Sequence, residues 1–234
     1  MPTFPYSLIR TRKFSTGIRL SIHPEKGLTV RAPFWLPEIS IRKFVEEKSD
    51  WIQKQLSRLS LSKPKEKEYV DGEKHLYFGQ EYALNIIHAE TPLRTEAKIW
   101  EDQLKVSLFR GHVDKKRTEE IKEAILRLYL ETGIAVITEK VNHYSGLLGV
   151  GYSRIDIKKV SSIWGSCSPT NRLSFNRKLI MAPHEVVDYV IIHEVCHLVQ
   201  RNHSSRFWGL VVKFDPKYKE HRRWLHRNHQ KLLV

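Results

Sequence analysis

The sequence predicts an α+β protein, and three patterns predict it. Short runs in the first half alternate apolar and polar residues, the period of half-buried strands. Two longer stretches repeat their apolar residues at helical spacing. A third, Val186–Val199, is apolar nearly all round and reads as a buried helix. The expected arrangement is an N-terminal, mostly antiparallel β-sheet with a long helix, then a mainly helical part with a short β-hairpin. Residues 1–114 form the β-rich subdomain and residues 115–234 the second, within one continuous compact unit.

The elements follow in order. Tyr6–Phe14 is the first strand. In Gly17–His23, Ile18, Leu20 and Ile22 alternate with Arg19, Ser21 and His23. Pro24-Glu25-Lys26-Gly27 is a turn, and Leu28, Val30 and Ala32 resume the alternation, so the pair is a hairpin. From Pro37 to Leu61, Phe44, Val45, Trp51, Ile52, Leu56 and Leu59 recur at helical spacing. Lys63–Glu68 is a charged, proline-bearing connector. His75–His88 holds two short runs that turn at Gly79, and Lys98–Phe109 reads as a further strand. Lys115 to about Tyr144 is a long helix, tolerant of Gly133, with Gly146 and Gly149 at its exit. Residues 154–160 and Leu173–Ile180 alternate again. The second of these is expected either to run along a cleft as an edge strand that pairs with an extended peptide, or to buttress the helix after it.

Composition excludes several classes. At 234 residues, 41% hydrophobic and 28% charged, the chain is of ordinary globular type. Two cysteines, Cys167 and Cys196, do not make a disulfide scaffold and fit a reducing compartment. No apolar run reaches the length that spans a bilayer, and the first residues lack the apolar centre of a signal peptide. The expectation is a cytoplasmic protein without membrane contact. Forty Lys plus Arg against 26 Asp plus Glu give a net charge of +14, which favours polyanions or acidic substrates. No glycine-rich phosphate loop is present.

The chemistry concentrates in the apolar helix. Ten residues of VVDYVIIHEVCHLV are Val, Ile, Leu, Cys or Tyr, and the other four are Asp188, His193, Glu194 and His197. Buried polar groups are costly unless they are paired or bind metal. His193 and His197 are four apart and stack on one face, where two imidazoles can hold one tetrahedral ion, with Glu194 beside them. His203 follows at a helix–turn–helix corner, between the terminator Asn202 and the N-cap Ser204 or Ser205. A catalytic zinc takes three protein ligands and keeps one open position. The competing reading is three ordinary histidines, two of them hydrogen-bonded in a core.

HEVCHLVQRNHSSRFW resembles the zinc site of the YgjP-like metal-dependent hydrolases, relatives of the SprT-like and other minimal gluzincin-type metallopeptidases. IWGSCSPTNRLSFNRKLIMAP resembles that family's Trp-Gly-Ser-Cys segment. The resemblance is dense over about residues 160–226 and looser elsewhere. It implies a zincin-like catalytic part in residues 115–234, one Zn2+ held by His193, His197 and His203, and Glu194 as catalytic base. Where the wider group takes a Glu as third ligand, this chain has no acidic residue between Glu194 and Asp215. Trp164 and Asn176 are expected to bind substrate. His221, Arg222 and Arg223 are candidates to reach the cleft and stabilise an oxyanion, His221 and Arg223 foremost. Three functions stay open. One is a zinc peptidase acting on peptides or proteins, and another a metal-dependent nucleotide pyrophosphatase. The third is a nucleic-acid-associated SprT-like protein that uses its positive charge.

Overall fold

The computed structural model describes residues 4–11, 17–23, 27–61, 67–89, 94–109, 114–160, 163–229 and 232. Its contacts divide the chain into two compact units, Met1–Lys65 and Glu66–Val234. Most of the Lys63–Glu68 connector lies outside the described residues.

The first unit is a three-stranded sheet with two helices. β2 (Arg19–His23) and β3 (Gly27–Pro33) form the expected antiparallel hairpin, with Gly27 at φ +65 where its turn ends. β1 (Tyr6–Thr11) pairs with the other edge of β3, and in parallel. Leu28, Val30 and Ala32 point inward onto Ile41, Val45 and Ile52 and make the core of this unit. The single helix expected over 37–61 is two, α1 (Glu38–Glu47) and α2 (Ser49–Leu61). They break at Lys48, whose N–H reaches back to Phe44 and Val45. Ser49 and Asp50 follow it, and such residues favour the first turn of a helix over its interior.

The second unit is built around one long helix. α3 (Asp114–Leu148) runs 35 residues, longer than its sequence signal at both ends. Gly133 sits where a Cβ would lie 3.2 Å from Ile180, so close packing explains a residue that weakens helices. Gly146 falls inside the helix and Gly149 ends it. Gly149, at φ +65, donates to Gly146 and Val150 donates to Ser145, the paired bonds of a Schellman cap.

One half of α3 packs on a four-stranded sheet of order β4-β5-β7-β6. β4 (Lys74–Tyr77) and β5 (Gln80–Ala89) meet at a two-residue turn, and β5 lies parallel to β7 (Gln103–Phe109). The single strand expected over 98–109 is a hairpin, because β6 (Glu96–Trp100) turns back into β7 at Glu101-Asp102, with Glu101 at φ +52. Leu84, Leu104, Val106 and Leu108 pack on Ile121, Ile125 and Tyr129 of α3.

The other half of α3, through Ile137 and Val141, packs on the elements of the site. These begin with a sheet of order β8-β10-β9, from β8 (Arg154–Lys158), β9 (Gly165–Cys167) and β10 (Arg172–Asn176). The run expected to be a strand to Ile180 stops at Asn176. Its Oδ1 accepts the Lys178 N–H and opens a 3-10 helix, Arg177–Met181. β10 lies between β8 and β9, so it is the central strand and not an edge; β9 is the edge strand.

Pro183 then leads into α4 (His184–Val199), followed by α5 (Ser205–Phe214) and α6 (Tyr218–Asn228). The entry to α4 is held by the β4–β5 turn. Phe78 and Gly79, at φ +46 and +79, donate to Ile180 and Met181, and the Phe78 ring stacks on His184 at 4.0 Å. Both positive angles suit a type I′ turn. A Cβ on Gly79 would lie 2.8 Å from Pro183. Gly79→Ala therefore adds left-handed strain to a clash at the start of α4, and chemical denaturation is expected to show a loss of about 3 kcal/mol. A loss under about 0.5 kcal/mol would show that this contact does not matter.

Candidate active site

α4 is the most enclosed helix of the site. Val186, Val187, Val190, Ile191, Ile192, Val195 and Cys196 are buried, and so are Tyr189 and Glu194. Both cysteines are free, Cys196 within this core and Cys167 half-buried on β9. Asp188, also on α4, pairs with Lys140 of α3 at 2.6 Å.

His193 and His197 leave the helix on one side, and the chain returns to them. α4 ends at Val199, and Gln200 is extended at φ −128. Four residues turn the corner before Ser204 caps α5, accepting the Phe207 N–H. The corner puts His203 Nε2 at 3.2 Å from His197 Nε2 and 3.1 Å from His193 Nε2. One nitrogen from each of the three rings lies within 4.8 Å of the others. Phe207, fully buried, backs all three, stacking on His197 at 4.4 Å and meeting His193 and His203 edge-on.

The donor set fits a tetrahedral metal ion. Zinc–imidazole bonds of about 2.0–2.1 Å put ligand nitrogens about 3.3 Å apart, close to the two separations seen. His197 Nδ1–H donates to the Gln200 carbonyl at 3.1 Å, the tautomer that leaves the Nε2 lone pair facing the other rings. Burial pushes the His193 imidazolium down to about 3, with His197, His203 and Arg222 adding to the shift, and burial lowers His197 as well. Both rings are thereby kept neutral, the form that binds metal.

Glu194 projects toward β9. Burial alone raises its carboxyl to about 8. It lies against Gly165: a Cβ there would lie 2.6 Å from Glu194 Cγ and 2.7 Å from Oε1. A glycine is thus required where the edge strand passes the carboxylate. β9 is anchored from the far end of α4 by Arg201, which donates to the Ser168 carbonyl at 2.7 Å and to Cys167 Sγ at 3.1 Å.

A cleft of about 340 Å3 opens beside His193 and Glu194, between β9, α4 and α6. Trp164 is among the residues that line it. Asn176 is not. It is buried behind β9, with its amide nitrogen donating to Val160 at 2.9 Å and Ile163 at 3.0 Å, so it fixes the approach to Trp164. His221 Nδ1 is bonded to buried Asp215 at 2.8 Å, and Arg223 Nε donates to Lys219; neither lines the cleft. Arg222 does, with Tyr189 and Leu225. Tyr189 stands one helical turn before His193, a spacing that could have marked it. Nothing in the sequence singled out Gly165 beyond its place in the Trp-Gly-Ser-Cys segment.

Among the described residues, no helix is long and apolar enough to cross a membrane. No curated protein matches the chain. Two solved structures are similar to part of it. The metallopeptidase zymogen abylysin of Pyrococcus abyssi is 23% identical, over 39% of this chain and 93% of that one, at a TM-score of 0.36. The metallopeptidase zymogen jannalysin of Methanocaldococcus jannaschii is 25% identical, over 42% and 97%, at 0.35. The family model of the YgjP-like metallopeptidase domain matches residues 16–228. That span is most of the 234 residues, so the chain belongs to the YgjP-like family and is a metal-dependent hydrolase.

Proposed function

We propose that the protein is a zinc metallopeptidase, with His193, His197 and His203 as the metal ligands and Glu194 as the general base. The observation that carries this reading is the convergence of three imidazole nitrogens within 4.8 Å beside a buried carboxyl. Peptides are preferred to nucleotides as substrates because the matching domain is that of a metallopeptidase.

When bound, the metal polarises a carbonyl and lowers the pKa of a water toward neutrality. Everything else is done by this chain. The imidazoles are held by the α4 face and by Phe207, and so need little reorganisation to act as ligands. Glu194 takes a proton from the attacking water at its carboxylate and passes it to the amine that departs as the C–N bond breaks. Its apolar surroundings raise its affinity for that proton, which suits a base that must later act as an acid. Gly165 leaves the carboxylate room to face the cleft. β9, with one edge paired to β10, offers its other edge to an extended peptide; this transfers to β9 the role expected of Leu173–Ile180. Trp164 forms part of the cleft wall against which substrate side chains pack.

Three variants test this reading. Glu194→Gln is expected to retain about one zinc per chain and to lose roughly 100- to 10,000-fold in peptide hydrolysis; hydrolysis near the wild-type rate removes Glu194 as base. His203→Ala is expected to lose most of the metal on elemental analysis, and unchanged zinc content would place the third ligand elsewhere. Gly165→Ala pushes Glu194 aside while leaving the imidazoles in place. Metal content is expected to hold while kcat falls by about 100-fold. Loss of metal in step with activity would mean that Gly165 serves the fold rather than Glu194.

A further inference from the structure

One face of α6 carries positive charge that the hydrolytic site does not use. Tyr218, Lys219, Arg222, Arg223 and His226 fall within one arc of the helix and line a groove on its surface. Arg222 and His226 also line the cleft beside His193 and Glu194, so the groove adjoins the cleft. Among the described residues that line the cleft, Arg222 is the only Lys or Arg, and the other walls include Ile163, Val190 and Leu225.

The position of Arg222 is set by aromatic stacking. Its guanidinium lies 5.6 Å from the centre of the Trp208 ring. Trp208 is stacked on Tyr218 at 5.0 Å and on His203 at 5.7 Å. The cation is thus tied to the ring of the third histidine. No carboxylate pairs with Lys219, Arg222 or Arg223 among the described residues. A guanidinium fixed on an aromatic face and free of an acidic partner is prepared for a two-point bond to a carboxylate. Lys219 and Arg223 add to the attracting field. A polyphosphate carries several charges and would need several cations inside the cleft, where the described residues supply one Lys or Arg.

Resting on the peptidase reading above, we propose that Arg222 is a specificity-determining residue, which selects peptides placing a carboxylate in the cleft beside His193 and Glu194. The carboxylate is either an acidic side chain next to the scissile bond or the C-terminus of a short peptide. The test is calorimetric titration of the metal-loaded full chain carrying Glu194→Gln, so that peptides survive. One pair of probes is acetyl-Ala-Ala-Glu-Ala-Ala-amide and its Gln counterpart. The other is acetyl-Ala-Ala-Ala with a free C-terminus and with an amide.

The carboxylate member of at least one pair is expected to bind about tenfold tighter than its amide counterpart, and the pair that discriminates identifies the source. Adding Arg222→Gln is expected to abolish the difference. Arg222 is exposed, so the fold should survive, and equal metal content in both proteins checks this. Absence of binding, equal binding within both pairs, or a preference that outlives Arg222→Gln overturns the proposal. So does displacement of the peptide by a lower concentration of inorganic triphosphate, which would make the groove a phosphate site. Failure of the peptidase reading is seen separately, as wild-type protein that binds these peptides and cleaves none.

Discussion

Burial of α4 is the constraint on which the rest of the structure depends. A helix enclosed by α3, β9, α5 and α6 must be apolar on nearly every side. This one also carries a carboxyl whose burial raises it from 4.5 to about 8. Taking its carboxylate form out of water carries a penalty, which that shift expresses. Against this, the other eight buried residues of α4 are apolar or aromatic, and each fully buried side chain contributes roughly 1.5–3 kcal/mol. The polar group is affordable only because so much of the helix is not polar. The surrounding elements then serve two purposes, since the walls that bury α4 also shape the cleft.

Those walls are fixed from both ends. At the start of α4, the β4–β5 turn bonds to the 3-10 helix and stacks Phe78 on His184. At its end, Arg201 reaches back to the β9–β10 turn. The edge strand beside Glu194 is therefore tied to the corner that directly follows the helix carrying Glu194. This coupling matters because the Gly165–Glu194 approach leaves no space for a methyl group. A shift of β9 toward α4 by a fraction of an ångström would be felt directly at the carboxylate.

Much of this was legible in the sequence, for particular reasons. His193, Glu194 and His197 could be read because helical spacing fixes which residues share a face. His203 could be placed because capping residues marked the corner before it. What spacing cannot show is which neighbour a face meets. His221, Arg222 and Arg223 are consecutive, and each points about 100° from the next. Only the packing of α6 decides that His221 turns to Asp215 and Arg222 to the cleft. Asn176 alternates as a strand residue should, yet its side chain bonds to the backbone of a different segment. The break at Lys48 and the hairpin at Glu101-Asp102 lacked the glycine or proline that marks most turns. The strand order, with β10 in the centre, depends on pairings between distant segments that no local pattern records.

The third histidine shows how local signals become a precise site. Ligands on one helix are rigid by construction, because α-helical geometry sets their separation. A ligand on a corner has no such guarantee, and His203 is the most exposed of the three. Its position is instead set by the first turn of α5. Ser204 starts that helix, which directs Phe207 into the core beneath the imidazoles and Trp208 against the His203 ring. The same indole supports Arg222. The ring that positions a histidine is therefore the ring that positions a cation of the cleft, and any change in the packing of Trp208 must act on both at once.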